Sequence, residues 1–486
     1  MRSAEPSERP QAGGGPALVR PGRSAVQGFL RELAREAPDA EVIEDPDQLE
    51  PFTRDWSGAT PCWPDAAVRP AGPQSVARVL RAAENHRIPV TPRGLGSGKS
   101  GGALPVMGGV VLDVSGWTGV VEVSGADLLA VVRAGTATAD VYRAAESEGL
   151  FYAPDPNSAH LCSIGGNVAC NAGGPRAVKY GVTKHHVLGL EVVTPSAGVQ
   201  RLGGRSVKRA TGYDLTSLMV GSEGTLGVIT EVTVRLLPEP RGLQTALIAF
   251  DDAMAATEAV TRVLQSGILP RALEFLDEAA TDAVRNAQAG LLDERFGATL
   301  IAETDGPTES DAEAQLERLA DVVLDAGAKD VRVARTPAQR ERIWGPRRLL
   351  SESLRATAPR KLSEDVSVPR SRIPELLRAV RAVGTATGIR VAAYGHAGDG
   401  NLHVNLLFDE DQLPAARQAL ERVAEAAVKL GGTISGEHGV GLLKRDLLSI
   451  EQPQELIWLQ QSLKRTFDPH QILNPGKIFP GRGARE

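Results

Sequence analysis

"PRGLGSGKSGGALP", residues 92–105, decides how the rest of the chain is read. It nearly spells a phosphate-binding P-loop, which needs a glycine, four spacers and then Gly-Lys-Ser/Thr. Gly98-Lys99-Ser100 is present, but Arg93 stands where the first glycine belongs, and Gly94 is one residue too close. A P-loop also opens a helix, whereas the following "GGALPVMGG" is rich in helix breakers. What remains is a strand running into Gly94, Gly96, Gly98, Gly101 and Gly102. Such a run offers backbone N–H groups without side-chain bulk and can wrap an anionic diphosphate. Its plain alternative is a glycine-rich surface turn.

Two further stretches favour the cradle. "APDPNSAHLCSIGGNVACNAGGPRAVKYG", 153–181, and "GYDLTSLMVGSEGTLGVITEVTVRLLP", 212–238, leave little room for packing side chains, so their backbone must approach something flat or large. Together the three stretches resemble, in order, the FAD-binding domain of the vanillyl-alcohol oxidase-like flavoproteins. That resemblance implies FAD contacts at Arg93, Gly94, Gly96, Ser97, Gly98, Ser100 and Gly101 in the first stretch. In the second it implies Pro154, Asp155, Ser163, Gly165, Gly166, Asn167, Asn171, Gly173 and Gly174. In the third it implies Glu223, Gly227 and Ile229. Lys99 departs from the family, which usually carries an apolar residue there; it either reaches the phosphates or points to solvent. No histidine lies in the loop, so the FAD is expected to be non-covalent.

The chain's 486 residues exceed one ordinary core and suggest two domains or more. A net charge of −6 without a long basic run argues against nucleic acid. Cys62, Cys162 and Cys170 make no C-x-x-C pair, which disfavours a cysteine-based zinc or iron–sulfur site and fits a reducing compartment. No run of about 18 apolar residues appears, so no membrane span is expected. The location expected is cytoplasmic, with peripheral contact at the inner membrane left open.

Residues 1–22 read as a disordered leader and 23–240 as the FAD-binding domain, closed by Pro238 and Pro240. "GPQSVARVLRAAENH" has helical periodicity, residues 151–186 read as a loop-rich zone, and "GVITEVTVRLLPEP" reads as a strand. Residues 241–425, with strands "TALIAF", "ATLIAET" and "DVRVAR" between long helices, read as an α+β substrate or cap domain with an antiparallel sheet. Residues 426–486 are expected to return to the FAD domain and complete the active site. The fold class expected is therefore α+β: a two-subdomain FAD-binding domain of vanillyl-alcohol oxidase type plus the cap.

"YGHAGDGNLHVNLL" places His396 and His403 on two arms of a hairpin, with Asn405 on the same strand face as His403. "GGTISGEHGVGLLKR" adds Glu437 and His438 between glycines. Two histidines and a carboxylate make a metal triad with an open position, leaving His438 for proton transfer. The alternative for any one of them is an ordinary satisfied polar residue, but His86, His160, His185 and His186 form no comparable cluster.

These motifs resemble a narrower group, the flavin-linked D-lactate dehydrogenases and glycolate oxidase flavoprotein subunits, which includes D-2-hydroxyglutarate dehydrogenases. "IWGPRRLL", "EDVSVP" and "FDPHQILNPGKIF" belong to the same resemblance. It implies that His396, His403 and Glu437 bind a divalent metal, zinc first, with manganese or iron as the other options. It also implies that His438 is the general base, Asn405 lines the site, and Asn474 lies near the flavin, unless Asn474 is a plain turn residue. A substrate carboxylate needs a cation; Arg347, with Arg348 competing, and Lys361 match the family positions, though either could be a solvated charge. The activity implied is oxidation of a small 2-hydroxy acid, D-lactate or glycolate, with D-2-hydroxyglutarate as the alternative. Electrons would leave to a quinone, a cytochrome or an iron–sulfur partner subunit. An NTP-binding protein and a flavoprotein subunit without catalysis are the competing classes.

Overall fold

The computed structural model describes residues 20–287 and 296–480; most of the leader expected at 1–22 lies outside them. The FAD-binding half contains two main sheets and a two-stranded ribbon that pairs Leu150–Phe151 with Leu237–Pro238. In the first, of four strands, Ala66–Arg69 and Val90–Arg93 both run parallel to Val110–Asp113, and Glu41–Ile43 joins antiparallel. Helix Pro73–His86 packs on it through Val76, Val79, Leu80 and Ala83, the apolar stripe legible in the sequence. The second sheet has five antiparallel strands, with Val228–Arg235 at its centre.

The zone 151–186 differs from the loop expected. It contains helices Ile164–Cys170 and Ala177–Tyr180. Two glycines near a helix start weaken it by propensity alone. Here the Ser163 side chain accepts the Gly166 N–H and caps the helix. A Cβ at Gly165 would lie 2.7 Å from the Ala134 Cβ, so the glycine is there for close packing.

The second half is built on seven antiparallel strands. From Asp330–Val333 the order runs through Gly242–Phe250, Ala298–Gly306, Ala272–Leu276, Arg390–His396 and Asn401–Phe408 to the edge strand Arg360–Ser367. One face is covered by helices Ala253–Gln265, Glu309–Asp325, Ile373–Thr387 and Leu413–Lys429. Burying each Val, Leu or Phe there contributes roughly 1.5–3 kcal/mol. The opposite face is only partly covered, by Glu278–Ala287 and Pro337–Arg355. The uncovered part carries the histidines.

The last residues cross back to the first sheet. Val90 N–H donates to the Ile472 carbonyl at 2.8 Å, and Asn474 N–H donates to that of Val90 at 2.7 Å. Buried Lys464 bonds the Thr225 and Leu473 carbonyls and the Asp468 carboxylate, fixing this return.

Candidate active site

The hairpin arms pair Tyr394 with His403 and His396 with Asn401, and the edge strand sets Asp365 opposite His403. Alternation sends Leu402, Val404 and Leu406 into the helix-covered core, so His403 and Asn405 face the other way. His396 is 2% and His403 6% exposed. The loop after Gly432 brings Glu437 over them, its Oε1 3.4 Å from His396 Nε2 and 3.5 Å from His403 Nε2. One ligand atom from each of the three residues lies within 4.8 Å of the others.

Two carboxylates hold that loop. Asp365, fully buried, accepts the N–H groups of Glu437 at 2.6 Å and His438 at 3.1 Å. It also faces His438 Nδ1 at 3.3 Å and pairs with buried Lys444. Glu223, from the FAD-binding half, accepts the N–H groups of Val440 at 2.8 Å and Gly441 at 2.7 Å. The fit leaves no slack, because a Cβ at Gly441 (φ +52) would meet the Ser100 carbonyl at 2.3 Å. His438 stacks on His403 with ring centres 5.4 Å apart, and its Nε2 lies 3.8 Å from Glu437 Oε1, beyond hydrogen-bond distance.

Electrostatics separate the three imidazoles; burial opposes protonation of His438, but Asp365 beside it holds it above its usual range. Burial drives His403 down to about 3, so it is neutral, the form a metal requires. Burial opposes protonation of His396 too, but Glu274 and Glu437 on either side hold it well above its usual range. His396 Nδ1 lies 2.6 Å from Glu274 Oε1, whereas its buried Nε2 has no hydrogen-bond partner. That orphaned nitrogen and the carboxylate behind it form the carboxylate–histidine pair typical of metal sites. The donor set therefore fits a divalent ion.

The first glycine loop behaves as a cradle. Among the described residues, no protein acceptor takes the backbone N–H groups of residues 95–102. Ser100 and Gly101 are buried and the other residues of the row half-buried or exposed, so these donors are open to an anionic ligand. Several side chains expected on FAD are engaged elsewhere. Arg93 donates to the Pro51 carbonyl at 3.1 Å and the Ala103 carbonyl at 3.4 Å, bracing the loop from beneath. Asp155 holds Arg176, and Asn167 donates to Thr138 at 2.6 Å. Asn171 ends its helix at φ +52, with its side-chain amide oxygen Oδ1 accepting the Lys184 N–H. Ile229 packs in the core, and the Glu223 carboxylate holds the Glu437 loop rather than standing free. Pro154 contributes its carbonyl to Tyr142. Ser97 and Gly98 lie on the open loop, Ser100 is buried beneath Gly441, and Gly101 and Gly174 take positive φ. Gly227 packs on Thr194, and a Cβ at Gly173 would lie 3.0 Å from Glu437, so the second motif meets the Glu437 loop directly. Asn474 donates to the carbonyls of Gly102 at 2.9 Å and Glu223 at 2.7 Å, joining the first and third motifs.

Arg347 is buried, pairs with Glu274 and stacks over Tyr394, so it reaches the triad through Glu274. Arg348 pairs outward with Glu341. Lys361 bonds Ser351 at 2.7 Å, two pleats along the strand from Asp365. Asn405 is fully buried, its amide nitrogen on the carbonyls of Ala392 and His403 and its oxygen without a partner.

The sequence reading missed Asp365, Glu274 and Lys444. Asp365 gave no clear signal, because Glu364 interrupts the apolar series Leu362, Val366 and Val368 on the alternate positions of its strand. Glu274 is the one acid inside "ALEFL", and a lone acid in an apolar strand needs a buried partner.

A glycine loop with open backbone donors and a histidine–carboxylate centre, with both halves fixing one loop, fit the FAD-dependent oxidoreductase class that comparison with known proteins shows. Residues 64–203 match the FAD binding domain family, and residues 239–478 match the FAD linked oxidases, C-terminal domain. The chain is 39% identical to the glycolate oxidase subunit GlcD of Bacillus subtilis (strain 168), over 86% of this chain and 89% of that one. It is 35% identical to a D-lactate dehydrogenase of Anaerostipes hadrus over 85% and 89% of the two chains. It is 32% identical to a D-2-hydroxyglutarate dehydrogenase of Stutzerimonas stutzeri (strain A1501) over 93% and 98%. Among solved structures, p-cresol methylhydroxylase shares the fold at a TM-score of 0.77 and 18% identity, over 94% of this chain and 96% of that one. This chain belongs to the FAD-linked oxidase family. Among the described residues no helix is long and apolar enough to cross a membrane.

Proposed function

We propose that the protein is an FAD-dependent 2-hydroxyacid dehydrogenase using a divalent metal, zinc first, held by His396, His403 and Glu437. The observation that carries the reading is the convergence of those ligands with His438 on a loop fixed to both halves of the chain. Charge accommodates the metal. Glu274, Glu364, Asp365 and Glu437 stand in this buried network against two fixed cations, Arg347 and Lys444. That deficit is met either by protons on His396 and His438, both held above their usual range by the carboxylates beside them, or by a divalent ion on His396, His403 and Glu437.

When bound, the metal supplies Lewis acidity to the substrate hydroxyl, and non-covalent FAD supplies a hydride acceptor for the α-carbon. The protein does the rest. Lys361 and Arg347 are the cations for the substrate carboxylate, Lys361 the more available because Arg347 already pairs with Glu274. His438 takes the hydroxyl proton on Nε2, while Asp365 keeps its Nδ1 face occupied and the ring oriented. Loss of that proton and of the α-hydride converts the 2-hydroxy acid to a 2-oxo acid. Glu274 orients His396, and Asn405 packs beneath the site. Domains 23–240 and 241–425, with 426–486 closing the site, are the working division. Similarity to a glycolate oxidase subunit supports reoxidation through a quinone, a cytochrome or an iron–sulfur partner subunit. A cytoplasmic location, with peripheral contact at the inner membrane, completes the reading.

Anaerobic mixing with D-lactate, L-lactate, glycolate and D-2-hydroxyglutarate tests the activity. At least one acid should bleach the flavin absorbance near about 450 nm; a yellow protein bleached by none contradicts the reading. His438→Ala should retain FAD but turn over about 100-fold more slowly or worse, and unchanged turnover removes the base assignment. Burial, then Arg355 and Lys99, pushes the Lys361 ammonium down to about 8. Substrate KM should therefore rise about tenfold per unit above pH 8 as that charge is lost, and Lys361→Met should abolish the rise.

A further inference from the structure

Among the described residues, every buried arginine and lysine except one faces a carboxylate. Arg271 pairs with Glu303 and Asp305, Arg347 with Glu274, Lys444 with Glu364 and Asp365, and Lys464 with Asp468. The exception is Lys477. It is 3% exposed, and its Nζ donates to neutral oxygens alone: the Leu104 carbonyl at 2.6 Å, Asn474 Oδ1 at 3.1 Å and the Gly102 carbonyl at 3.4 Å. Asp55 and Glu223 act on its charge from beyond ion-pair distance, and both are engaged elsewhere. Asp55 accepts the N–H groups of Ser57 and Ala103, and Glu223 those of Val440 and Gly441.

The three oxygens account for the position of Lys477 but not for its charge. An ammonium taken out of water costs free energy that hydrogen bonds to neutral groups only partly offset. Burial accordingly pushes Lys477 down to about 8, with Asp55, Glu223 and Cys62 opposing the shift and Arg445 adding to it. A glutamine amide ties two carbonyls without that cost.

What stands beside the ammonium gives the charge a use. Gly102 and Leu104 lie at the end of the glycine loop, so Lys477 is packed against the segment whose N–H groups, residues 95–102, meet no protein acceptor among the described residues. The chain is turned to bring it there. Asn474 and Gly476 take φ +41 and +81, and Asn474 Nδ2 holds the Gly102 carbonyl at 2.9 Å beside the ammonium. An anion on those N–H groups and a cation behind them attract more strongly across buried protein than across water. With its three donors spent on protein oxygens, Lys477 acts through the loop and not by contact.

We propose that Lys477 is the buried counter-charge of the FAD diphosphate, a positioning residue that makes the glycine loop an anion site. This rests on the cofactor reading of that loop and deepens it. The sign of the linkage follows. A bound diphosphate keeps the ammonium protonated, whereas the empty site loses that proton above about pH 8. FAD binding therefore takes up a proton in alkaline solution.

The test is release of FAD from the full-length holoenzyme, read as fluorescence of free flavin on dilution, across the range from about pH 7 to about pH 9.5. Wild type, Lys477→Arg, Lys477→Gln and Lys477→Met are compared; Asp55, Glu223, Cys62 and Arg445 are common to all four, so their differences isolate Lys477. The wild-type Kd for FAD should rise about tenfold or more over that range. Lys477→Gln and Lys477→Met should bind FAD about tenfold more weakly near neutral pH and lose the alkaline rise. Lys477→Arg should bind tightly throughout, because a guanidinium does not titrate there. A wild-type Kd that stays flat with pH overturns the proposal without any variant, as does a Lys477→Gln protein that holds FAD as tightly as the wild type. A lowered flavin reduction potential in Lys477→Gln with FAD affinity unchanged assigns the charge to the reduced flavin ring and also overturns it. A wild type that binds no FAD at any pH removes the cofactor reading as well.

Discussion

The structure depends on one loop held by two buried carboxylates from different halves of the chain. Asp365 takes the backbone N–H groups of Glu437 and His438, and Glu223 takes those of Val440 and Gly441. Hydrogen bonds to charged groups contribute about 1.5–3 kcal/mol each, and leaving a buried donor unpaired costs a similar amount. The loop therefore has one low-energy path. That path sets Glu437 over His396 and His403, and places His438 beside them with Nε2 3.8 Å from Glu437 Oε1. Because Glu223 belongs to the third glycine-rich motif, the same bonds fix the Glu437 loop relative to the first half of the chain. Asn474 extends the coupling by joining Gly102 to Glu223.

The division of work between the halves follows from their sheets. The seven-stranded sheet is closed by helices on one face and only partly on the other, so polar side chains can converge on the open part without disturbing the core. Glu274, His396, His403 and Asp365 come from four neighbouring strands whose register is fixed by alternation. The cofactor half instead uses backbone, with a row of N–H groups that no protein acceptor satisfies. Side chains of its motifs, such as Arg93, Asp155 and Asn167, mostly shape that backbone.

Much of this was legible in the sequence. The P-loop was correctly rejected, since no helix follows Gly98, and the hairpin that aligns His396 with His403 was readable from strand, turn and strand. The helix at Ile164–Cys170 was not, because its glycines argue against helix locally and only contact with Ala134 explains them. The roles of Glu223 and Asp365 were hidden for a related reason. Each acts on backbone N–H groups remote in sequence, and no periodicity reports that. Arg347 was found, but its buried partner Glu274 lies in a strand whose apolar pattern masked it.

The most direct measurement follows metal and chemistry in the same sample. Purified protein is treated with graded chelator under anaerobic conditions; the remaining metal is counted by mass spectrometry, and flavin bleaching by the best 2-hydroxy acid is timed. The account predicts that the bleaching rate falls in proportion to the metal lost while the flavin spectrum stays intact, and that zinc or manganese restores it. Full-speed bleaching in metal-free protein would contradict the assignment of His396, His403 and Glu437 as the centre of the chemistry.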